Sequence, residues 1–253
     1  MAPKKSAKNL PPKESPVSSP TLSWPRLHPL LPASSLSLQS ILPEQIVTVP
    51  NFFTSTLCNT YLSFLQKNVS LTTTPGKPKK GEAVRVNDRF QTMDEVFAKT
   101  LWEQSGLKEI VEREEDQVGL WGGEVVGLNP NIRIYRYMKG QFFDKHYDDS
   151  NLLPSFPTSN ASGSSRLPCE TTWTLLIYLT GPADGIVGGE TVFYTEATKK
   201  LKSEEIVVEP EKGLALLHRH GRDCMLHEGR LVSEDGGVGK WVLRSDLVVR
   251  RAK

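Results

Sequence analysis

The chain has 253 residues, 38% of them hydrophobic and 24% charged, with a formal net charge of +2. That apolar share excludes a wholly disordered chain, no apolar run approaches the ~18 residues of a membrane-spanning helix, and the balanced charge selects no particular partner. The cysteines Cys58, Cys169 and Cys224 are odd in number, far apart and without a CxxC pair; a disulfide framework and a Cys-rich zinc site are thereby disfavoured, and a reducing compartment fits.

Nine of the eighteen prolines fall within the first 43 residues, among serines and the lysines Lys4, Lys5, Lys8 and Lys13. Such a segment buries too little apolar surface to offset its ordering entropy, which predicts a disordered basic arm over residues 1–40. MAPKKSAK leads into Pro and Ser rather than an apolar stretch, so secretory export is not expected and the location is read as cytoplasmic and/or nuclear. The folded domain is expected over 41–253, with a helical N-terminal part (41–125) and a β-rich core (126–253). Ile46, Val47, Val49 and Phe52 predict a short strand; Leu57, Tyr61, Leu62, Phe64 and Leu65 at helical spacing predict a helix. Residues 71–83, LTTTPGKPKKGEA, read as a polar loop. Its lysines, Lys77 to Lys80, are a weak pointer to nucleic acid, because no aromatic stacking surface accompanies them. MDEVFAKTLWEQSG predicts a second helix with Val96, Phe97 and Leu101 on one face and Gly106 past its end.

From Asn131 the pattern becomes strand-like. NIRIYRYM alternates, TWTLLIYLT is a buried run ended by Gly181-Pro182, and ETVFY, EEIVVEP, GLALLH and KWVLRSDLVV follow at short intervals. The expectation is a mainly β fold with flanking helices, a sandwich or barrel. Residues 152–168, long and rich in Ser and Pro, read as a lid or insertion. Gly188-Gly189 lacks the GxGxxG spacing of a phosphate loop, and no GxSxG elbow is present.

The chemistry concentrates in RIYRYMKGQFFDKHYDDS. His146 and Asp148 lie two residues apart, so on a strand both side chains leave one face about 6–7 Å apart at the backbone and can converge on a metal ion. A third ligand must come from elsewhere, and outside the arm His218, His220 and His227 are available. Two histidines and a carboxylate leave open positions suited to non-haem Fe(II).

RIYRYMKGQFFDKHYD, GGETVFY, LHEG and GKWVLRSDLV resemble, in order, the core blocks of prolyl 4-hydroxylase-like 2-oxoglutarate/Fe(II)-dependent dioxygenases, over roughly 129–249. VRVNDRF, residues 84–90, resembles fungal-type members. The resemblance implies a double-stranded β-helix (jelly-roll), with Fe(II) held by His146, Asp148 and His227 and with His218 and His220 as competitors for the third place. It implies 2-oxoglutarate and O2 as co-substrates, succinate and CO2 as co-products, and ascorbate as reductant. The 2-oxoglutarate carboxylate is expected on Lys240, with Arg244 as rival on the same strand face, assisted by Tyr137 and Thr191. Lys240 lies thirteen residues beyond His227, where the family usually has about ten; the glycines Gly236, Gly237 and Gly239 suggest a lengthened turn. The substrate implied is a peptidyl proline of an intracellular protein. The alternatives are a small-molecule hydroxylase and a non-catalytic jelly-roll binding module.

Overall fold

The computed structural model describes residues 22–74, 81, 83–113, 117–160, 163–197 and 202–250. Two short strands, β1 (Gln39–Leu42) and β2 (Ile46–Val49), precede α1 (Ser55–Asn68). Thr54 caps α1, its hydroxyl accepting from Leu57 N–H at 3.2 Å, and Leu57, Cys58, Tyr61, Leu62 and Leu65 form the buried stripe. Such a cap contributes about 1 kcal/mol. β3 (Thr72–Thr73), β4 (Arg85–Val86) and β5 (Asp88–Met93) follow, then α2 (Glu95–Gln104), α3 (Leu107–Glu112) and α4 (Gln117–Trp121). The remaining strands are β6 (Val125–Leu128), β7 (Asn131–Tyr137), β8 (Phe142–His146), β9 (Leu152–Asn160), β10 (Gly163–Tyr178), β11 (Ile186–Gly188) and β12 (Thr191–Tyr194). The chain closes with β13 (Glu205–Val208), β14 (Ala215–Arg219), β15 (Leu226–Gly229), β16 (Val232–Asp235) and β17 (Lys240–Arg250). Among the described residues no helix is long and apolar enough to cross a membrane.

The large sheet runs β1-β2-β14-β10-β17-β7-β5-β3, with β6 beside β17 and β9 beside β10; the smaller one runs β13-β12-β15-β8-β4. All their pairings are antiparallel. Strand alternation decides which side chain meets which layer. Ile132 and Ile134, Leu175 and Ile177, Ala215 and Leu217, and Trp241 and Leu243 pack with the helices in one core. Their neighbours Tyr135, Tyr137, Tyr178, Leu216 and Val242 turn the other way and pack with Phe193 and Val208 of the small sheet. The result is the jelly-roll expected, a β-sandwich backed by helices on one face.

Four local expectations are corrected. Residues 22–40 belong to the fold rather than to a disordered arm: Trp24 stacks on Phe97 at 4.1 Å, its Nε1–H donates to the α2 cap Asp94 at 2.9 Å, and Leu27, Leu30 and Leu36 join the helical core. These apolar residues supply the burial that offsets the ordering entropy of the segment. The segment 41–125 is not purely helical, because its β2 pairs with β14 and its β5 with β7. Val96 is 76% exposed, unlike Phe97 and Leu101, since it lies about a quarter turn off their stripe. Residues 152–160 and 163–168 pair as β9 and the first part of β10 rather than forming an irregular loop. Their Leu153, Phe156 and Leu167 pack with Cys169 and Val248, and Arg166 pairs with Glu95 of α2 at 3.4 Å. The Lys77 to Lys80 cluster and residues 1–21 lie outside the described residues.

The lengthened spacing before Lys240 has a structural reason. The intervening residues form β16, which pairs with β11, and a turn in which Gly236, Gly237 and Gly239 all adopt positive φ. At Gly239 an added Cβ would also come within 2.8 Å of Met138 Sδ.

Candidate metal centre and co-substrate cavity

His146 ends β8 and His227 sits in β15, directly opposite in the antiparallel register, so two adjacent strands bring imidazoles together from residues 81 apart in sequence. Their ring centroids are 4.2 Å apart. Asp148, two residues past His146, places Oδ1 3.7 Å from His146 Nε2 and Oδ2 3.8 Å from His227 Nε2. One ligand atom from each of the three lies within 4.8 Å of the others.

Backbone carbonyls set the tautomers. His146 Nδ1 lies 2.8 Å from Asp144 O and His227 Nδ1 2.9 Å from Met225 O. A carbonyl only accepts, so Nδ1 carries the proton and Nε2 presents its lone pair to Asp148, as a metal-ligating imidazole requires. Burial, reinforced by the neighbouring His227, pulls the His146 pKa down to about 3, and burial also lowers that of His227. Both imidazoles are therefore neutral at physiological pH and available for coordination. Burial pushes the Asp148 carboxyl up, but the Arg244 guanidinium outweighs it and holds it well below the usual carboxylate range. Two neutral imidazoles and an ionised carboxylate are a donor set that fits Fe(II).

The inner face of β17 carries the cations. Lys240 opens the strand, cross-strand from Tyr137, and is 3% exposed. Its Nζ donates to Gly189 O at 2.5 Å and lies 5.2 and 5.4 Å from the ring centres of Tyr137 and Tyr178. No carboxylate of the described residues comes within ion-pair distance of it, and burial lowers its pKa to about 8. Gly189 is required beside it: φ is +74°, and a Cβ there would approach Lys240 Cδ at 3.1 Å. The Thr191 hydroxyl is hydrogen-bonded to Tyr178 Oη at 2.7 Å. A cavity of about 50 Å³ lies between Lys240 and the His–Asp–His cluster, walled by Tyr135, Tyr137, Leu176, Tyr178, Thr191 and Val242.

Arg244, four residues on, is differently engaged. Nη2 lies 2.9 Å from Asp148 Oδ2 and Nη1 3.3 Å from Oδ1, while Nε faces Asp246 Oδ1 at 3.3 Å. Asp246 in turn accepts from Arg133 at 2.6 Å and Asn129 at 2.9 Å. The row Asp148, Arg244, Asp246, Arg133 is thus a buried chain of alternating charge. His220 stands behind it with both nitrogens taken, by Thr174 Oγ1 at 2.9 Å and Thr171 Oγ1 at 2.8 Å, so it presents nothing to the cluster. His218 does lie against the cluster, its Nε2 4.0 Å from Asp148 Oδ2.

The structure brings all seven sequence-derived site residues to one cavity. The sequence reasoning missed Tyr178 and Thr174, which strand parity on TWTLLIY could have assigned to the inner face, and the rim residues Arg85 and Phe143. Arg85 lies 3.7 Å over the Phe143 ring, which stacks on His146 at 3.5 Å. The larger concavity of the molecule, about 530 Å³ between α2, β6 and β9, holds no such convergence: Lys99, Lys108 and Arg250 on its rim are paired with Glu103, Glu112 and Glu124.

Residues 132–245 match the 2OG-Fe(II) oxygenase superfamily. No curated protein matches the sequence. Among solved structures, the chain is similar to a prolyl hydroxylase from Trichoplax adhaerens in complex with a peptide fragment of the hypoxia inducible factor oxygen degradation domain: 14% identity, TM-score 0.51, 81% of this chain and 83% of that one. It is also similar to the viral collagen prolyl hydroxylase of Paramecium Bursaria Chlorella virus-1 (16%, TM-score 0.49, 81% and 96% covered). A third, HygX from Streptomyces hygroscopicus with nickel and 2-oxoglutarate bound, has 14% identity, TM-score 0.47 and coverage of 81% and 83%. The matched segment, residues 132–245, carries the His–Asp–His cluster together with Lys240 and Arg244.

Proposed function

We propose that the chain binds Fe(II) through His146, Asp148 and His227 and 2-oxoglutarate through Lys240, and hydroxylates a peptidyl proline of an intracellular, cytoplasmic or nuclear protein, yielding succinate and CO2. The observation that carries this reading is one cavity with a neutral-imidazole and carboxylate cluster at one end and a buried, carboxylate-free ammonium at the other. A ferrous ion held there supplies the dioxygen activation that no side chain can, with ascorbate as the reductant that restores it.

Each remaining task falls to the protein. His146 and His227 offer Nε2, locked in direction by Asp144 O and Met225 O. Arg244 keeps Asp148 ionised and oriented. Lys240 holds the distal carboxylate of the co-substrate, and the hydroxyls of Thr191 and Tyr137 complete that end. Lys240 is favoured over Arg244 because Arg244 already pairs with two carboxylates, whereas none of the described residues brings a carboxylate within ion-pair distance of Lys240. The aromatic walls keep water from the cavity, which strengthens each of these electrostatic contacts. At the mouth, Arg85, held over the Phe143 ring, offers N–H donors to a peptide carbonyl.

The test mixes the purified protein anaerobically with Fe(II) and 2-oxoglutarate. A visible charge-transfer band is expected, then succinate once air is admitted, with both absent in His227→Ala. A screen of proline-containing peptides for a mass gain of one oxygen follows. Neither band nor succinate from folded, metal-loaded protein would refute the assignment.

A further inference from the structure

We infer that His220 is a positioning residue for the metal site, acting through Thr174 to fix the Asp148 carboxylate, an inference that rests on the proposed site at His146, Asp148 and His227. His220 directly follows β14 and is buried. Its Nδ1 lies 2.9 Å from Thr174 Oγ1, and that hydroxyl lies 3.1 Å from Asp148 Oδ2. On the other side of the ring, Nε2 lies 2.8 Å from Thr171 Oγ1, which accepts from Asn151 N–H at 2.9 Å. A continuous chain of hydrogen bonds therefore runs from the backbone three residues past Asp148 to the carboxylate of Asp148 itself. Thr171 and Thr174 are both 0% exposed, so neither hydroxyl has bulk water as an alternative partner.

The hydrogens along this chain have one consistent placement. An ionised carboxylate only accepts, so Thr174 spends its single hydrogen on Asp148, while Arg244 Nη2 donates to the same hydroxyl at 3.2 Å. Toward His220 the Thr174 oxygen can then only accept, which puts the imidazole proton on Nδ1. Burial lowers the His220 pKa and keeps the ring neutral. Nε2 accordingly accepts from the Thr171 hydroxyl, whose oxygen in turn accepts from Asn151. Every donor is matched, and the ring between the two threonines sets the direction of both hydroxyls. The consequence falls on Asp148. Oδ2 receives Thr174 and Arg244 Nη2, whereas among the described residues Oδ1 receives only Arg244 Nη1, at 3.3 Å. Oδ1 thereby keeps a lone pair for a metal ion, and it is the oxygen 3.7 Å from His146 Nε2. Backbone contacts hold the frame: His220 N–H donates to Thr172 O at 2.9 Å and Gly221 N–H to Asp148 O at 2.7 Å. A leucine in place of His220 would leave the Thr174 hydroxyl with one donor fewer and free to turn away from Asp148.

The experiment titrates metal-free protein with Co(II), followed by its visible absorption, in wild type, His220→Leu, His220→Asn, Thr174→Val and the double variant Thr174→Val/His220→Leu. Asparagine can place its amide N–H where Nδ1–H stands, so it keeps the donor to Thr174; leucine cannot. His220→Leu is expected to bind Co(II) about 10–100-fold more weakly, the usual cost of losing a group behind a ligand, and His220→Asn within about threefold of wild type. The double variant is expected to bind no more weakly than Thr174→Val alone, because the histidine acts through the threonine. A histidine that only supports the fold would not be rescued by asparagine, and its loss would multiply that of Thr174→Val. Should His220→Leu not fold, His220→Gln, which reaches the Nε2 place but not the Nδ1 place, gives the same loss. Wild-type affinity in His220→Leu, no recovery in His220→Asn, or losses that multiply in the double variant would each overturn the role of His220. The metal site would still stand, provided His146→Ala and His227→Ala abolish Co(II) binding. If those two variants bind Co(II) like wild type, the site itself is refuted and the role of His220 with it.

Discussion

Replacing Lys240 with methionine should stabilise the co-substrate-free protein while removing its affinity for 2-oxoglutarate. The ammonium is buried without a carboxylate partner, and its pKa of about 8 against the ordinary 10.5 corresponds to a cost of about 3 kcal/mol for keeping it charged in the fold at neutral pH. Methionine removes that cost but leaves Gly189 O without its donor, a loss of about 1–2 kcal/mol. The net gain is about 1–2 kcal/mol at pH 7. Between pH 8 and 10.5 the unfolded chain keeps the lysine proton that the folded protein has released, so wild-type stability rises with pH through that window. The penalty is fully present below pH 8 and relieved above 10.5, so the variant's advantage should shrink and then reverse. Urea denaturation of both proteins at pH 7, 9 and 10 measures this, and calorimetry with 2-oxoglutarate measures the lost binding. A variant less stable than wild type at pH 7, or a stability difference that does not change between pH 7 and 10, would refute the account of Lys240 as an unpaired buried charge. Such an exchange of stability for function is common at binding sites.

Arg244→Met should destabilise by about 3–5 kcal/mol in urea, because Asp148 and Asp246 are left facing each other in the interior. Asp148→Asn added to it should recover part of the loss, and a null double-mutant coupling would count against the charge chain. His146→Ala should abolish metal-dependent succinate formation while leaving the circular dichroism spectrum unchanged; full activity would remove His146 from the ligand set. Trp24→Ala should cost about 2 kcal/mol, less than a fully buried tryptophan, through its lost stacking on Phe97 and its hydrogen bond to Asp94. Thermal unfolding indistinguishable from wild type would show that residues 22–40 contribute nothing.

Much of the site was legible because its parts are local or periodic. His146 and Asp148 are two residues apart, and residues 240, 242 and 244 share a face by strand alternation alone. What Lys240 and Arg244 do there was not legible, since both are cations on one strand face. Their difference lies in Asp148 and Asp246, and the Asp148 contact spans 96 residues of sequence. The N-terminal boundary was misread for a related reason: residues 22–40 continue the Pro- and Ser-containing stretch before them, while the energy comes from Trp24, Leu27, Leu30 and Leu36 meeting helices far along the chain.

The sequence by itself determined the strand alternation, the two amphipathic helices and the order of the ligand-bearing blocks, because each depends on spacing within one segment. Tertiary structure alone decided that His227 faces His146, that His220 is saturated by threonine hydroxyls while His218 is not, and that among the described residues no carboxylate stands within ion-pair distance of Lys240. Those outcomes depend on the register between strands distant in sequence, and strand register is set by the packing of the whole sheet rather than by any one strand.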